Sequence, residues 1–277
     1  MNAIWLVTNS GSGSYDPDRV EAVRSAFAER GYPVSRTVTV PDDELPDADG
    51  ATNHDVDLIA IFTGDGTINA LVGKLEGWSG KLLPLPGGTM NLLCRKLHGD
   101  ADAETIIARA IDQGFRTREL PQAEGCGWRS LVGIIAGPTA AWGEVREDLR
   151  HADLKALAQS VPQAVDATFH GHQVSVRGCE GAFQAIFIDP QSDGLNATGV
   201  QVANLQDLAA HGFAWLNREF LGGPTRQLCK SPELEVCGNG TISLLIDGER
   251  VKGDTPCHFA WRSCPVAFVA TDQGESP

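Results

Sequence analysis

Through the first half of the chain, short apolar runs alternate with stretches in which apolar residues recur every three or four positions. Ala3 to Thr8, Leu58 to Phe62 and Lys81 to Leu85 are near-continuous apolar runs, the pattern of strands buried on both faces of a sheet. Val34 to Val40 alternates apolar and polar residues and predicts a further strand. Between them lie helical patterns. One is capped by Asp16, has Pro17 at its first position, carries Val20, Val23 and Phe27 on one face, and stops at Gly31. Shorter ones cover Ile68 to Leu75 and Met90 to Leu97, and an amphipathic one covers Ala103 to Gln113. Such alternation predicts a mostly parallel sheet with helices on its faces, which binds ligands beyond the carboxyl ends of its strands.

Near Pro121 the pattern changes. A polar stretch from Gln122 to Gly127 precedes the apolar run Leu131 to Ala136 and a helical pattern around Trp142 to Gln159. Strands are predicted over Ala167 to Val176, Phe183 to Ile188 and Leu195 to Ala203, and a helix over Leu205 to Leu221 interrupts them. The remainder is strand and turn, with Asn239-Gly240 and Asp247-Gly248 as hairpin signals. The expected architecture is an α/β N-terminal domain over 1–124 and a β-rich, antiparallel, sandwich-like C-terminal domain over 125–266.

Composition narrows the function. With 36 acidic against 22 basic residues the formal net charge is −14, so the chain lacks the basic stripe that a nucleic-acid partner requires. The same balance opposes permanent adhesion to an anionic bilayer and leaves brief docking through a local patch. The 7 cysteines include no Cys-x-x-Cys pair and read as reduced thiols of a cytoplasmic protein. No basic segment precedes Ile4-Trp5-Leu6-Val7, which is too short for a signal peptide. The longest apolar stretch, Leu131 to Trp142, is broken by Gly133, Gly137 and Pro138, so no transmembrane segment is expected.

Candidate chemistry concentrates in glycine-rich turns that directly follow predicted strands: Asn9-Ser10-Gly11-Ser12-Gly13-Ser14, Thr63-Gly64-Asp65-Gly66-Thr67-Ile68-Asn69, and Pro86-Gly87-Gly88-Thr89-Met90-Asn91. Glycine lets backbone N–H groups approach a ligand, and helix N-termini favour anions, so neighbouring turns of this kind would form a phosphate-binding rim. Each turn alone has a purely steric reading. The middle turn also holds a carboxylate, Asp65. Where phosphate charge gathers, that residue suits Mg²⁺ binding or proton acceptance; an Asx turn or helix cap is the reading for an isolated Gly-Asp-Gly-Thr.

These residues carry a family resemblance. Gly64-Asp65-Gly66-Thr67 with Asn69 resembles the Gly-Gly-Asp-Gly-Thr-x-Asn signature of the diacylglycerol kinase catalytic domain family, which includes sphingosine kinases and bacterial lipid kinases. Gly88-Thr89-Met90-Asn91 with Arg95 resembles its Gly-Thr-x-Asn-Asp-Phe-Ala-Arg segment, and Asn9-Ser10-Gly11-Ser12-Gly13 its Asn-Pro-x-Ser-Gly opening. Asp193-Gly194-Leu195 resembles the Asp-Gly-x-Leu-Asp loop and Ile246-Asp247-Gly248-Glu249 the Asp-Gly-Glu turn, all in the family's order.

The resemblance implies an ATP-dependent lipid kinase that moves the γ-phosphoryl group to a hydroxyl of diacylglycerol or a related lipid, in a cleft between two domains. It implies that Asn9, Ser12, Gly13, Thr63, Gly64, Gly66, Thr67, Asn69, Gly87, Gly88, Thr89 and Asn91 bind the nucleotide. Asp65 becomes the leading candidate to activate the lipid hydroxyl or hold Mg²⁺, Glu249 the second candidate base, and Asp193 a further candidate metal ligand. The lipid would be met at the membrane surface by a cytoplasmic protein that associates with it transiently, and homodimerisation is left open. The final segment, within 267–277, would return to the first domain.

Several positions depart from the family pattern. Thr63 stands for the first glycine, Ser10 for a proline, Leu92 for the Asp of the Asn-Asp pair, and Asn196 for the Asp that closes the Asp193 loop. Thr63 and Leu92 keep a catalytically silent nucleotide-binding regulator as an alternative, and the Gly-Asp-Gly-Thr turn keeps an NAD kinase as another. His170-Gly171-His172, on a predicted strand, would turn both imidazoles to one face, although no third metal ligand lies near in sequence. The mixed charges of Glu144 to Lys155 predict an exposed helix face, and Trp142, Trp215 and Phe220 either core or a lipid-facing surface.

Overall fold

The computed structural model describes residues 3–141, 145, 154–202, 224–247 and 249–272. The chain divides into two compact units, Met1–Leu120 with Ser263–Pro277, and Pro121–Arg262.

The first unit is an α/β layer structure. Its elements in order are β1 (Ala3–Asn9), α1 (Pro17–Ala28), β2 (Arg36–Val40), α2 (Ala48–Asn53), β3 (Val56–Thr63), α3 (Asp65–Lys74), β4 (Lys81–Pro86), α4 (Leu92–His98), α5 (Ala103–Asp112) and β5 (Thr117–Arg118). The last strand of the chain, β17 (Ala267–Val269), enters the same sheet, whose order is β2-β1-β3-β4-β17-β5. Neighbours from β2 to β17 run parallel, and β5 is antiparallel to β17. On one face Ile4 and Leu6, Leu58, Ala60 and Phe62, and Leu83 and Leu85 pack with Val20, Val23 and Phe27 of α1 and with Ile106, Ile107 and Ala110 of α5. Trp5, Val7, Ile59, Ile61 and Leu82 point to the other face and are buried as well. Burial on both faces is why these strands read as unbroken apolar runs.

Helix starts follow their caps. Asp16 accepts from Asp18 N at 2.9 Å ahead of Pro17, as expected, and Asp102 accepts from Thr105 N at 2.8 Å to open α5. Helix α3 begins at Asp65, ahead of the expected Ile68, while α4 begins at Leu92 because Asn91 takes a left-handed conformation with φ 50°. Helix α2 was not expected, since within Ala48–Asn53 only Ala51 is buried and no apolar period forms.

The second unit holds two antiparallel sheets. One has the order β12 (Thr225–Ser231), β11 (Gly194–Val200), β10 (Ala185–Gln191), β8 (Ile134–Ala136), β14 (Thr241–Ile246), β15 (Glu249–Asp254). The other runs β7 (Trp128–Ser130), β6 (Pro121–Gly125), β16 (Cys257–Ser263), β13 (Glu233–Cys237), β9 (Ser175–Val176). Ile134, Ile186, Ile188, Leu195, Leu244 and Ile246 from the first meet Ala123, Val176, Leu234, Val236 and Phe259 from the second in one core, the sandwich expected from sequence.

Two local readings are corrected. Helix α6 (Leu154–His170) runs through the segment expected to open a strand at Ala167, and only Ser175–Val176 is extended there. Ala164 and Thr168 are buried at helical spacing, and the Thr168 hydroxyl bonds back to Ala164 O at 2.7 Å, so 3.6-residue packing prevailed over the apparent alternation. His170 therefore ends a helix and pairs with Asp166 at 2.9 Å instead of sharing a strand face with His172. Asn239-Gly240 is not a hairpin turn: β13 and β14, which flank it, belong to different sheets. A hairpin does form at the second signal, with Ile246 paired to Glu249 and Asp247 at φ 46°; Gly248 lies outside the described residues. The helix expected over Leu205 to Leu221, with Trp215 and Phe220, lies outside the described residues, as do Trp142 and most of Glu144 to Lys155. Among the described residues no helix is long and apolar enough to cross a membrane, and all the cysteines are free thiols.

Candidate active site

Strands β1, β3 and β4 are adjacent and parallel, so their carboxyl ends bring the three glycine turns to one edge of the sheet. The chain passes from β1 outward to β2 and then returns to β3 on the other side of β1. The first two turns thus flank the point where strand order reverses, the usual ligand crevice of such sheets.

Side chains lash the turns together. Asn9 accepts from Gly11 N at 2.9 Å and donates through Nδ2 to Thr67 Oγ1 at 3.0 Å, tying the first turn to the second. Ser14 donates to Gly87 O at 2.7 Å, tying the first to the third. Its single proton is spent there, so Ser12 is the donor in the 2.9 Å contact between the two hydroxyls. Asp65 joins the second turn to the helix after the third, with Oδ2 accepting from Leu92 N and Oδ1 from Leu93 N, both at 3.0 Å.

The glycines answer to packing as much as to ligand approach. A Cβ on Gly88 would sit 2.4 Å from the Cα of Gly64, and one on Gly87 2.4 Å from the carbonyl carbon of Phe62. Either would force the second and third turns apart. Asn91 closes its amide on Gly88, with Oδ1 accepting from the Gly88 N–H at 2.7 Å and Nδ2 donating to its carbonyl at 2.8 Å. Thr63 is buried, is absent from the positive-φ residues, and donates to Gly64 O at 3.2 Å. A β-branched residue in place of glycine is therefore unstrained there, and its hydroxyl is turned onto its own chain.

What faces outward suits an anion. Helix α3 has Gly64 as its N-cap, with no side-chain cap bond. The carboxylate of its first turn is spent on α4. Thr67 accepts from Asn9 and so keeps its own hydroxyl proton to donate. Gly13 and Thr89 are exposed, and Gly66, Thr67 and Asn69 half-buried. An uncapped helix N-terminus beside a donor hydroxyl fits the phosphates of a nucleotide. The residues do not form a protein cage for Mg²⁺: both Asp65 oxygens already accept N–H groups, and among the described residues no three His, Cys, Asp or Glu side chains cluster as metal ligands. Cys94, just inside α4, has its thiol pushed up to about 12 by burial and by the Asp65 charge, so it is inert.

In the second unit, Asp247 is buried and gathers four donors: Ser130 Oγ at 2.6 Å, Leu131 N and Val132 N at 3.1 Å, and Gly133 N at 3.3 Å. It holds the 130–133 loop against the β14–β15 turn. Sequence reading gave Asp247 only the turn; its partners lie more than a hundred residues upstream, where no local signal points to it. Glu249 is exposed at the first position of β15. Asp193, in the β10–β11 turn, is paired with Lys230, which holds its carboxyl below the usual range. A metal ion there would have to displace an ammonium.

Residues 3–123 match the diacylglycerol kinase catalytic domain, so the resemblance carried by the glycine turns holds over the α/β unit. The whole chain is similar in fold to a crystal structure of a diacylglycerol kinase from Bacillus anthracis str. Sterne, with 14% identity, 97% of each chain covered and a TM-score of 0.64. Two further solved structures from that strain align over 97% of each chain at 16% and 15% identity, with TM-scores of 0.64 and 0.63. No curated protein matches the sequence.

Proposed function

We propose, from the premise that the α/β unit is a diacylglycerol kinase catalytic domain, that this protein is an ATP-dependent lipid kinase acting on a hydroxyl of diacylglycerol or a related lipid. The observation that carries the reading is the interlocked set of turns at the ends of β1, β3 and β4, with the N-terminus of α3 left uncapped by any side chain. ATP supplies the phosphoryl group and the leaving ADP. Thr67 and the first N–H groups of α3 bind its phosphates, while Asn9, Ser14 and Asn91 keep the turns in register. Positioning of this kind is most of what phosphoryl transfer asks of a protein.

The two candidate carboxylates divide the remaining work. Asp65 is buried and engaged by two N–H groups, which suits a positioning residue for the third turn. Glu249 is exposed, which suits the general base that takes the proton of the lipid hydroxyl. Mg²⁺ enters with the nucleotide, since that ion is commonly held by phosphates and few protein ligands. The protein works in the cytoplasm and meets its lipid by transient contact with the membrane surface.

The test is ADP release from ATP and Mg²⁺ with mixed micelles carrying diacylglycerol, monoacylglycerol or a long-chain amino alcohol. Turnover that depends on one of these lipids is expected. Nucleotide binding without turnover on any of them would replace the kinase with a silent regulator.

A further inference from the structure

Strands β6 and β7 are joined by a two-residue turn, Cys126-Gly127, closed by the pairing of Gly125 with Trp128. Both turn residues take positive φ, 53° for Cys126 and 78° for Gly127, in a hairpin geometry that favours asparagine, aspartate or glycine. A cysteine gains nothing from the backbone there, and this one is exposed. Residues held in such conformations cluster where the side chain is used.

The fold sets a second thiol beside it. Strand β16 neighbours β6, and the two run antiparallel. At one end Cys264 N donates to Leu120 O at 2.8 Å; at the other, a Cβ on Gly125 would run into the His258 carbonyl oxygen. One residue on from Gly125 is Cys126 and one residue back from His258 is Cys257, so antiparallel pairing brings these cysteines together. Opposed residues on such strands lie about 4.5–5.5 Å apart at Cα, inside the about 4.4–6.8 Å that a disulfide spans. Cys257 is buried, and its thiol donates to Asp254 O at 3.2 Å, in space that a Cβ on Gly253 would invade at 2.6 Å. Burial, then the adjoining Cys126 thiol, push Cys257 up to about 12. It stays protonated, and Cys126 is the sulfur that an oxidant in solvent meets first.

We propose that Cys126 and Cys257 form an oxidative modification site, a thiol pair that a hydroperoxide converts reversibly to a disulfide. Nothing in the proposal depends on the kinase reading. With hydrogen peroxide, the Cys126 thiolate attacks one oxygen and the O–O bond breaks. Cys126 becomes a sulfenic acid, and the expelled hydroxide leaves as water with the proton that the thiol had lost. The Cys257 sulfur then attacks Cys126 Sγ, the S–O bond breaks, and a second water carries off the Cys257 proton. Two electrons pass from the sulfurs to the peroxide, and a dithiol returns them by exchange, itself ending as a disulfide.

The test treats the reduced full chain with hydrogen peroxide, alkylates the remaining thiols after unfolding, and maps tryptic peptides by mass spectrometry with and without dithiothreitol. Peptides 119–129 and 253–262 carry the two cysteines. They are expected as one cross-linked species, two hydrogens lighter than their sum, which dithiothreitol separates. The map tells this bond from one between Cys179 and Cys229, which also lie beside each other. Cys126→Asn, a residue suited to the left-handed turn, should keep the fold and abolish the species. Oxidation of Cys126 without a link to Cys257, a link to a second chain instead, or full alkylation of both thiols after peroxide overturns the proposal.

Discussion

Asp65 stands in the first turn of α3 yet caps α4, its carboxylate bridging Leu92 N and Leu93 N across a separation of 27 residues in the first case. The same side chain therefore ties the second glycine turn to the helix that follows the third.

Replacing Asp65 with Asn removes the charge and sets an NH₂ against one of those N–H groups. Hydrogen bonds to charged groups contribute about 1.5–3 kcal/mol each. Urea unfolding should show a loss of about 2–4 kcal/mol, and nucleotide binding should weaken in parallel. A variant as stable as the parent with unchanged nucleotide affinity, but no turnover, would restore Asp65 as the general base.

Glu249→Gln should do the opposite. The residue is exposed, so stability should stay within about 0.5 kcal/mol. Lipid-dependent ADP release should fall by about 10²–10⁴-fold, with nucleotide affinity retained. Steady-state turnover beside nucleotide titration checks both halves.

Gly88→Ala places a Cβ 2.4 Å from the Gly64 Cα, and backbone cannot yield as a flexible side chain can. Overpacking of this sort costs about 1–3 kcal/mol. The turns should separate and nucleotide affinity should drop about tenfold or more, the ratio that about 1.4 kcal/mol represents.

Asp247→Ala strands the N–H groups of Leu131, Val132 and Gly133 and the Ser130 hydroxyl. A loss of about 3–5 kcal/mol is expected on denaturation. ATP binding by the first unit should survive at temperatures where the variant remains folded.

His98 is buried, with Nδ1 2.9 Å from Thr271 Oγ1, and its pKa is pushed down from 6.5 to about 4, chiefly by burial. The unfolded chain therefore binds a proton that the folded one refuses between those values. Stability should be full above pH 6.5 and fall towards pH 4 by at most about 1.4 kcal/mol per pH unit from this group. His98→Gln should flatten that part of a pH series of unfolding midpoints.

Much of the architecture was legible beforehand. The apolar runs marked β1, β3 and β4, and Asp16 with Pro17 marked the start of α1, because burial on both faces and helix capping are local requirements. The glycine turns were legible for the same reason. What each glycine and polar side chain does there was not. Gly87 and Gly88 are dictated by the backbone of Phe62 and Gly64, and Asn91 is committed to Gly88, contacts that appear only once β3 and β4 lie side by side. The strand expected at Ala167 failed because alternation over a few residues cannot be told from one helical face until the packing partner is known.

The sequence by itself determined the main strands and helices of the first unit, the β-rich character of the second and the positions of the glycine turns, since hydrophobic period and turn chemistry act over a few residues. Only the tertiary structure decided that Asp65 caps the wrong helix by sequence and the right one in space, that Asp247 gathers the 130–133 loop, and that Asn239-Gly240 carries the chain between sheets. The physical reason is common to all three. A buried carboxylate or a turn takes whatever donors and strands the folded chain brings to it, and those come from segments that no local pattern connects.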